Sequence, residues 1–553
     1  MTVSSAAPGE PGRWTLVTAP RIYTMAGPPA EAMVLYDGRV ILTGTARELT
    51  DRFDVQERVE LSGFVFPGFN DAHAHPTMTA DNLLRVDCSP EIALDESTLC
   101  DLLRAETDRL EPGAWVIGSR YDHTKTTGGR VFDRWALDAV VGDRPALLIH
   151  VAAHWGVVSS AGLAAAGLDD SSTDPKGGAL GRDGQGHLNG LVYEQALFDL
   201  AYPSLARGET VVPQPSPQMR LRSLRRAQDM FHAAGLTSMC DALCGPADLA
   251  LLTSAREAGE LTMRTSALLA YPHYGHVANL GLHGSIGDER LRLLGVKAFV
   301  DGACAGGNCL VEEPFEGTDD HGMQVIDTDE LTGLVGQVAA DGIVIGVHAN
   351  GDRAIRLLLD AHELARRQGA PLRRHRIEHC TLVDDDIVRR IRDLGLVAVP
   401  FGSYARFHGD KLAGYYGEER LERMFAHRTL LDAGVAVAGS SDFPCGPFEP
   451  LAAVASCVSR QALDGRLVGP SQRISPLEAI ALYTTGSAYA SGEEHLKGRL
   501  APGQLADFVE LGADPLEVPA DEIAGIEVRS TWVGGKPVFD ATSRSRTRQE
   551  RPA

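Results

Sequence analysis

The chain has 553 residues, of which 44% are hydrophobic and 23% charged, with a formal net charge of -22 and a pI near 5.3. That balance suits a soluble globular protein and argues against a nucleic-acid surface, which needs a basic patch. Nine cysteines (Cys88, Cys100, Cys240, Cys244, Cys304, Cys309, Cys380, Cys445 and Cys457) contain no CxxC pair. Neither a disulfide framework nor a thiolate zinc site is therefore expected, and a reducing, cytoplasmic setting is.

The opening "MTVSSAAPGEPGRW" has no basic region followed by an apolar core, so no signal peptide is read there. No apolar run is long enough to span a bilayer, and no membrane partner is expected. Residues 1–66 then read as short strands. "WTLVTA", "AMVLYDGRVILTGT" and "VQERVELSGFVF" are broken by turn signals such as Asp37-Gly38.

After Pro67-Gly68 the pattern changes. From 67 to 496, apolar runs alternate with amphipathic helices, the pattern of an α/β fold. The clearest unit is "GIVIGVHANGDRAIRLLLDAHELARRQGA". It predicts a strand over 342–348, then a helix capped by Asp352, with Ile355, Leu358 and His362 on one face and Leu357, Ala361 and Leu364 on another. "HRIEHC", a helix ending at Gly395, "LVAVP" and "GVAVAGSSDFP" continue the theme. Such repetition points to a parallel barrel or a doubly wound sheet. Ser475-Pro476 opens a late helix. From 497 to 543 the β pattern returns in "GRLAPGQLADFVELG" and "IEVRSTWVGGKPVFD", and the polar tail 544–553 is expected to be disordered. The two β-rich ends are expected to pair into one small unit. Residues 100–235 exceed what a barrel crossover needs and read as an insertion covering the site. Within it, 118–129 reads as a lid from which Tyr121 and His123 could touch substrate.

The informative pattern is where polar residues end apolar runs. His73 and His75 in "FPGFNDAHAHP" are two apart, so on a strand both imidazoles face the same side and can reach one ion. Lys297 ends "RLRLLGV", His348 ends "GIVIGV", His379 ends "HRIE", and Asp442 follows "GVAVAGSS". Taken singly, His348 and His379 read equally well as core histidines, Lys297 as a snorkelling lysine and Asp442 as a turn residue. Their joint placement at predicted strand ends, where barrel enzymes keep their chemistry, points to a metal site.

With these motifs the chain resembles the metal-dependent amidohydrolase superfamily, and more closely its family 3 branch, which includes N-substituted formamide deformylases. "LYDGRVILTG", "PGFNDAHAH", "HVAAHWGVVSSAGLAAAGL", "GVKAFVDG", "VHANGDRAI", "RHRIEHC", "GSSDFPCGPFEPL" and "GRLAPGQLADFVEL" carry the resemblance over nearly the whole chain. It implies a distorted (β/α)8 TIM barrel with a composite β-sandwich made from both termini. It implies one or two divalent ions, with zinc as the default, held by His73, His75, Lys297, His348, His379 and Asp442, and an N-carboxylated Lys297 bridging the pair. A metal-held hydroxide would attack a carbonyl, Asp442 would shuttle the proton to the leaving nitrogen, and His154 would contact the oxyanion or substrate. Asp71 and Asp352 are expected to support the site rather than ligate.

Two stretches depart from the family pattern. "VAVPFGSYARFHGD" carries Phe401 and Arg406, which are candidate substrate contacts, and "GACAGGNCL" replaces a more polar run. The expected activity is hydrolysis of a small molecule's carbon-nitrogen bond other than a peptide bond, as in an amide, formamide or cyclic amide. Deamination of a heterocycle, ester hydrolysis and a non-catalytic metal-binding scaffold are the alternatives. A homodimer is expected on base rate alone.

Overall fold

The structure is a computed structural model, described for residues 13–371 and 373–542. The tail expected at 544–553 lies outside the described residues.

Eight strands form the central parallel sheet: β1 (Phe69–Ala74), β2 (Leu236–Cys244), β3 (Arg264–Ala270), β4 (Leu291–Phe299), β5 (Val344–Ala349), β6 (Arg376–His379), β7 (Val397–Pro400) and β8 (Ala436–Val437). Each pairs in parallel with its neighbour in chain order. The strands are buried because both faces are covered, and every residue of β2 is buried. The sheet curls until its two ends approach. The Ala72 N–H donates to Gly439 O at 3.0 Å, Asp442 N–H to His73 O at 2.9 Å and His75 N–H to Phe443 O at 2.9 Å. All strands run the same way, so residues at their C-terminal ends gather at one mouth.

Helices pack outside. The helix Asp352–Arg367 buries Ile355, Leu358 and His362, the first face expected from sequence, together with Leu359; of the second expected face Ala361 is buried, while Leu357 and Leu364 stay only partly buried. Its N-cap is Gly351 rather than Asp352. Asp352 is the first helical residue, and its Oδ1 accepts the Glu312 N–H at 2.9 Å, tying the loop after β4 to this helix. The helix Asp385–Leu394 is capped by Asp384 and stops at Gly395, whose φ of 65° is left-handed.

Between β1 and β2 lies a second sheet of six strands. Their order is Val86–Asp87, Val116–Tyr121, Ala146–His150, Trp155–Val158, Leu188–Glu194 and Gly178–Arg182. The stretch 118–129 is therefore not an open loop. It ends one of these strands and continues into the short helix His123–Thr126, capped by Asp122. A helix, Pro217–Ala233, leads back to β2.

Strands from both ends of the chain share one eight-stranded sheet. Phe508–Leu511 runs antiparallel to Phe64–Pro67, and Phe508 stacks on Trp532 at 5.2 Å. Among the described residues, no helix is long and apolar enough to cross a membrane.

Candidate active site

β1 delivers His73 and His75 to the mouth, β4 delivers Lys297, β5 His348 and β6 His379, and Asp442 follows β8. These six residues and His154 line one cavity, whose other side is formed by Met78, Phe198, Tyr202, Leu205, Leu243 and Phe299. Its backbone is strained where function would demand it. His379 has φ 71°, Cys380 43° and Asp442 54°, left-handed values that non-glycine residues rarely adopt. At His379 this conformation ends the strand and turns the imidazole toward the cavity.

The imidazoles converge. Ring centroids lie 5.3 Å apart for His73 and His75, 4.7 Å for His73 and His379, and 4.5 Å for His348 and His379. Asp442 Oδ1 sits 3.1 Å from His75 Nε2 and 3.3 Å from His73 Nε2, the latter without hydrogen-bond geometry. Buried polar atoms normally have a partner. Here His73 Nε2, His75 Nδ1 and His379 Nδ1 have none within the protein. One donor atom each from His73, His379 and Asp442 falls within 4.8 Å of the others. Burial pushes His348 and His379 well below the usual histidine range, which leaves them as neutral imidazoles, the ligating form. Burial would raise the Asp442 carboxyl, but His379, His73 and His75 hold it well below its ordinary value. Buried imidazole nitrogens without partners around an ionised carboxylate fit a divalent cation.

Lys297 is buried with its Nζ 4.7 Å from the Phe299 ring. Burial lowers its pKa to about 8 against the pull of Glu378 and Asp442. His154 arrives from the six-stranded sheet, just before Trp155–Val158, and its ring lies 5.1 Å from His348. Burial would lower it, but Glu194, 2.8 Å from Nδ1, raises it overall.

Supporting groups surround this cluster, and apart from Asp71 the motifs did not reveal them. His73 Nδ1 meets Glu378 Oε2 at 2.5 Å, and Arg376 grips the same carboxylate from Nε at 2.7 Å and Nη2 at 2.9 Å. Burial would raise Glu378, but Arg376 and His73 pull it well below the carboxylate range. The available signal was the alternation of two charges, Arg376 and Glu378, on one face of a fully buried strand. Tyr404 donates its hydroxyl to Asp442 Oδ2 at 3.2 Å. Asp301 accepts the N–H groups of Leu310, Asn350 and Gly351 and lies 3.5 Å from His348 Nε2. Asp71 accepts the N–H groups of His73 and Ser441 and so ties β1 to the Asp442 loop.

The four candidate substrate contacts lie away from the cavity lining. Tyr121 is buried in an apolar cluster, its hydroxyl 3.0 Å from Thr127 Oγ1, because its strand belongs to the second sheet. Phe401 stacks on His379 at 4.4 Å and on Tyr404 at 3.6 Å, forming a wall behind the imidazole. Arg406 packs beyond it, with its backbone N–H on Ser456 Oγ. His123 belongs to a separate group with Asp122 and His150 whose donor atoms also fall within 4.8 Å of one another. That group suits a cation poorly. Lys411 Nζ is 3.1 Å from Asp122 Oδ2, and the Ala152 N–H donates to His150 Nδ1 at 3.2 Å, which places the ring proton on Nε2.

A curled parallel sheet with a metal-capable cluster at its strand ends defines the class of metal-dependent hydrolases. Residues 62–539 match the amidohydrolase family, and the chain belongs to it. It is 28% identical over 535 residues to an N-substituted formamide deformylase of Arthrobacter pascens, covering 93% of this chain and 95% of that one. It is also 28% identical over 538 residues to the putative amidohydrolase YtcJ of Bacillus subtilis, covering 94% and 98%. Among solved structures it resembles an uncharacterized metal-dependent hydrolase from Pyrococcus horikoshii, with a TM-score of 0.73, 22% identity and coverage of 92% and 99%.

Proposed function

We propose that this enzyme hydrolyses a carbon-nitrogen bond other than a peptide bond in a small molecule, with formamides, acylamides and cyclic amides as the substrate class. The observation that carries the reading is the convergence of His73, His75, His348, His379, Lys297 and Asp442 from separate strand ends on one cavity. The printed activity of the Arthrobacter relative supports formamides as the first compounds to test.

His73, His75 and Asp442 would hold one divalent ion, and His348 and His379 a second, with zinc as the proposed metal. Such ions, when bound, acidify water and polarise a carbonyl. The chain's own residues do the rest. Asp442, kept ionised by its imidazole neighbours, takes the proton of the attacking water and returns it to the leaving nitrogen, so amide and water become acid and amine. Tyr404 steadies Asp442 through Oδ2. His154 faces the reacting carbonyl oxygen. Phe198, Leu205 and Leu243 give the cavity an apolar wall beside the reacting carbon. A lysine lowered to about 8 is about one-tenth neutral at pH 7, far more than an ordinary lysine, and the neutral amine is the form that adds CO2, which supports Lys297 as a carboxylated bridge.

The test pairs elemental analysis with a screen of formamides, acylamides and lactams. One or two equivalents of metal per chain and amine release are expected, with Asp442→Asn keeping the fold but losing about 100-fold or more in kcat. A protein that takes up no metal on reconstitution, or an Asp442→Asn variant with full activity, would sink the proposal.

A further inference from the structure

Glu194 is fully buried, and its carboxylate reaches the active-site cavity through one side chain only. Its Oε2 lies 2.8 Å and its Oε1 3.0 Å from His154 Nδ1. Its own N–H donates to His154 O at 2.8 Å, so backbone and side chain both grip the same residue. Asn308, from the segment after β4, donates Nδ2 to Oε1 at 3.1 Å. Among the described residues Glu194 has no arginine or lysine within ion-pair distance; its ionic contact is His154. Burying a carboxylate without a permanent cation is costly, and Glu194 also carries a φ of 48°, a conformation that disfavours a non-glycine residue. A residue with only a packing role would bear neither burden. Nδ1 and Nε2 sit on opposite sides of an imidazole ring, so occupying Nδ1 leaves Nε2 as the free nitrogen of a side chain that lines the cavity.

We propose that Glu194, locked by Asn308, is the positioning residue that anchors the His154 ring through its Nδ1–H and holds Nε2 toward the reacting group. The insertion between β1 and β2 thereby supplies a catalytic side chain to the barrel mouth, and the departing "GACAGGNCL" segment supplies its clamp. The inference rests on the hydrolase reading above for His154, but Glu194's hold on the ring stands independently of the substrate.

The experiment has two arms on the metal-loaded protein. The first records the far-downfield imidazole N–H proton by one-dimensional NMR, assigned by its loss in His154→Gln. It should be present in the wild type, lost in Glu194→Ala, weakened in Asn308→Ala and retained at a shifted position in Glu194→Gln. The second follows 4-nitroaniline release from 4-nitroformanilide. Expected are a kcat loss of about 100-fold in His154→Ala and nearly as much in Glu194→Ala. Loss within about 5-fold is expected in Glu194→Gln, which keeps an acceptor for Nδ1–H, and little extra loss in the double variant, since the two act as a unit. Metal content and KM should stay near wild type throughout. Survival of the downfield proton in Glu194→Ala, or full kcat in that variant while His154→Ala loses it, overturns the proposal. A wild type inert toward the formanilide counts against the formamide reading alone, and the NMR arm still decides Glu194.

Discussion

Lys297 shows how much a single side chain says once its surroundings are known. It ends an apolar strand, is 1% exposed, and has a pKa of about 8 in the fold against 10.5 as the ordinary value. Between those pH values the unfolded chain binds the proton that the folded chain has released, so the penalty of burying this group is relieved and stability rises as pH goes from 8 to 10.5. The full effect is about 3 kcal/mol. In the metal-free protein, denaturant unfolding at the two pH values should show this gain, and Lys297→Met should lack it; equal slopes for the two proteins would show that Nζ is not desolvated as described. Arg376 and Glu378 make the complementary case. They were read only as part of a short strand, because their meaning comes from His73, about 300 residues away in sequence. Arg376→Met would leave the buried Glu378 carboxylate with His73 Nδ1 as its remaining partner and should cost about 3–5 kcal/mol, measured as a fall in denaturation midpoint.

At the scale of elements, the strand-helix alternation was legible because parallel strands are largely apolar and their helices amphipathic. "GIVIGVHANGD" fixed its strand and helix to within a residue or two. What it could not fix was the cap, since Asp352 is drawn away to the Glu312 N–H and Gly351 takes the cap position. Gly351 is required for another reason: a Cβ there would sit 1.8 Å from Leu310 O. Gly351→Ala should force the β5 turn away from the loop after β4, costing about 2 kcal/mol or more, and should loosen His348. A thermal melt and metal titration check this; unchanged values for both would mean that the loop gives way freely. The expectation of a lid at 118–129 differed because glycines and polar residues resemble a loop in sequence, while the strand pairing that orders Val116–Tyr121 is supplied by Ala146–His150.

For the whole molecule, six candidate ligands come from points spread over about 370 residues and meet only because the sheet curls. An ion that binds that meeting point binds the folded state alone, so it should stabilise it by mass action. Stripping the metal with a chelator should lower Tm by about 5 °C or more, and adding back zinc or manganese should restore it. Identical melting before and after stripping would place the ion elsewhere or make its binding weak.

By itself the sequence determined the α/β class, the β-rich ends and the strand-end residues His73, His75, Lys297, His348, His379 and Asp442. It could do so because periodicity and short-range motif spacing are properties of contiguous residues. Only the tertiary structure decided which residues support them. Glu194 and Asn308 behind His154, Glu378 behind His73 and Tyr404 behind Asp442 are each brought to their partner by chain folding, across gaps that no local pattern records. The same holds for Tyr121, His123, Phe401 and Arg406, whose residue types suited a pocket but whose positions were set by the sheets and clusters they pack against.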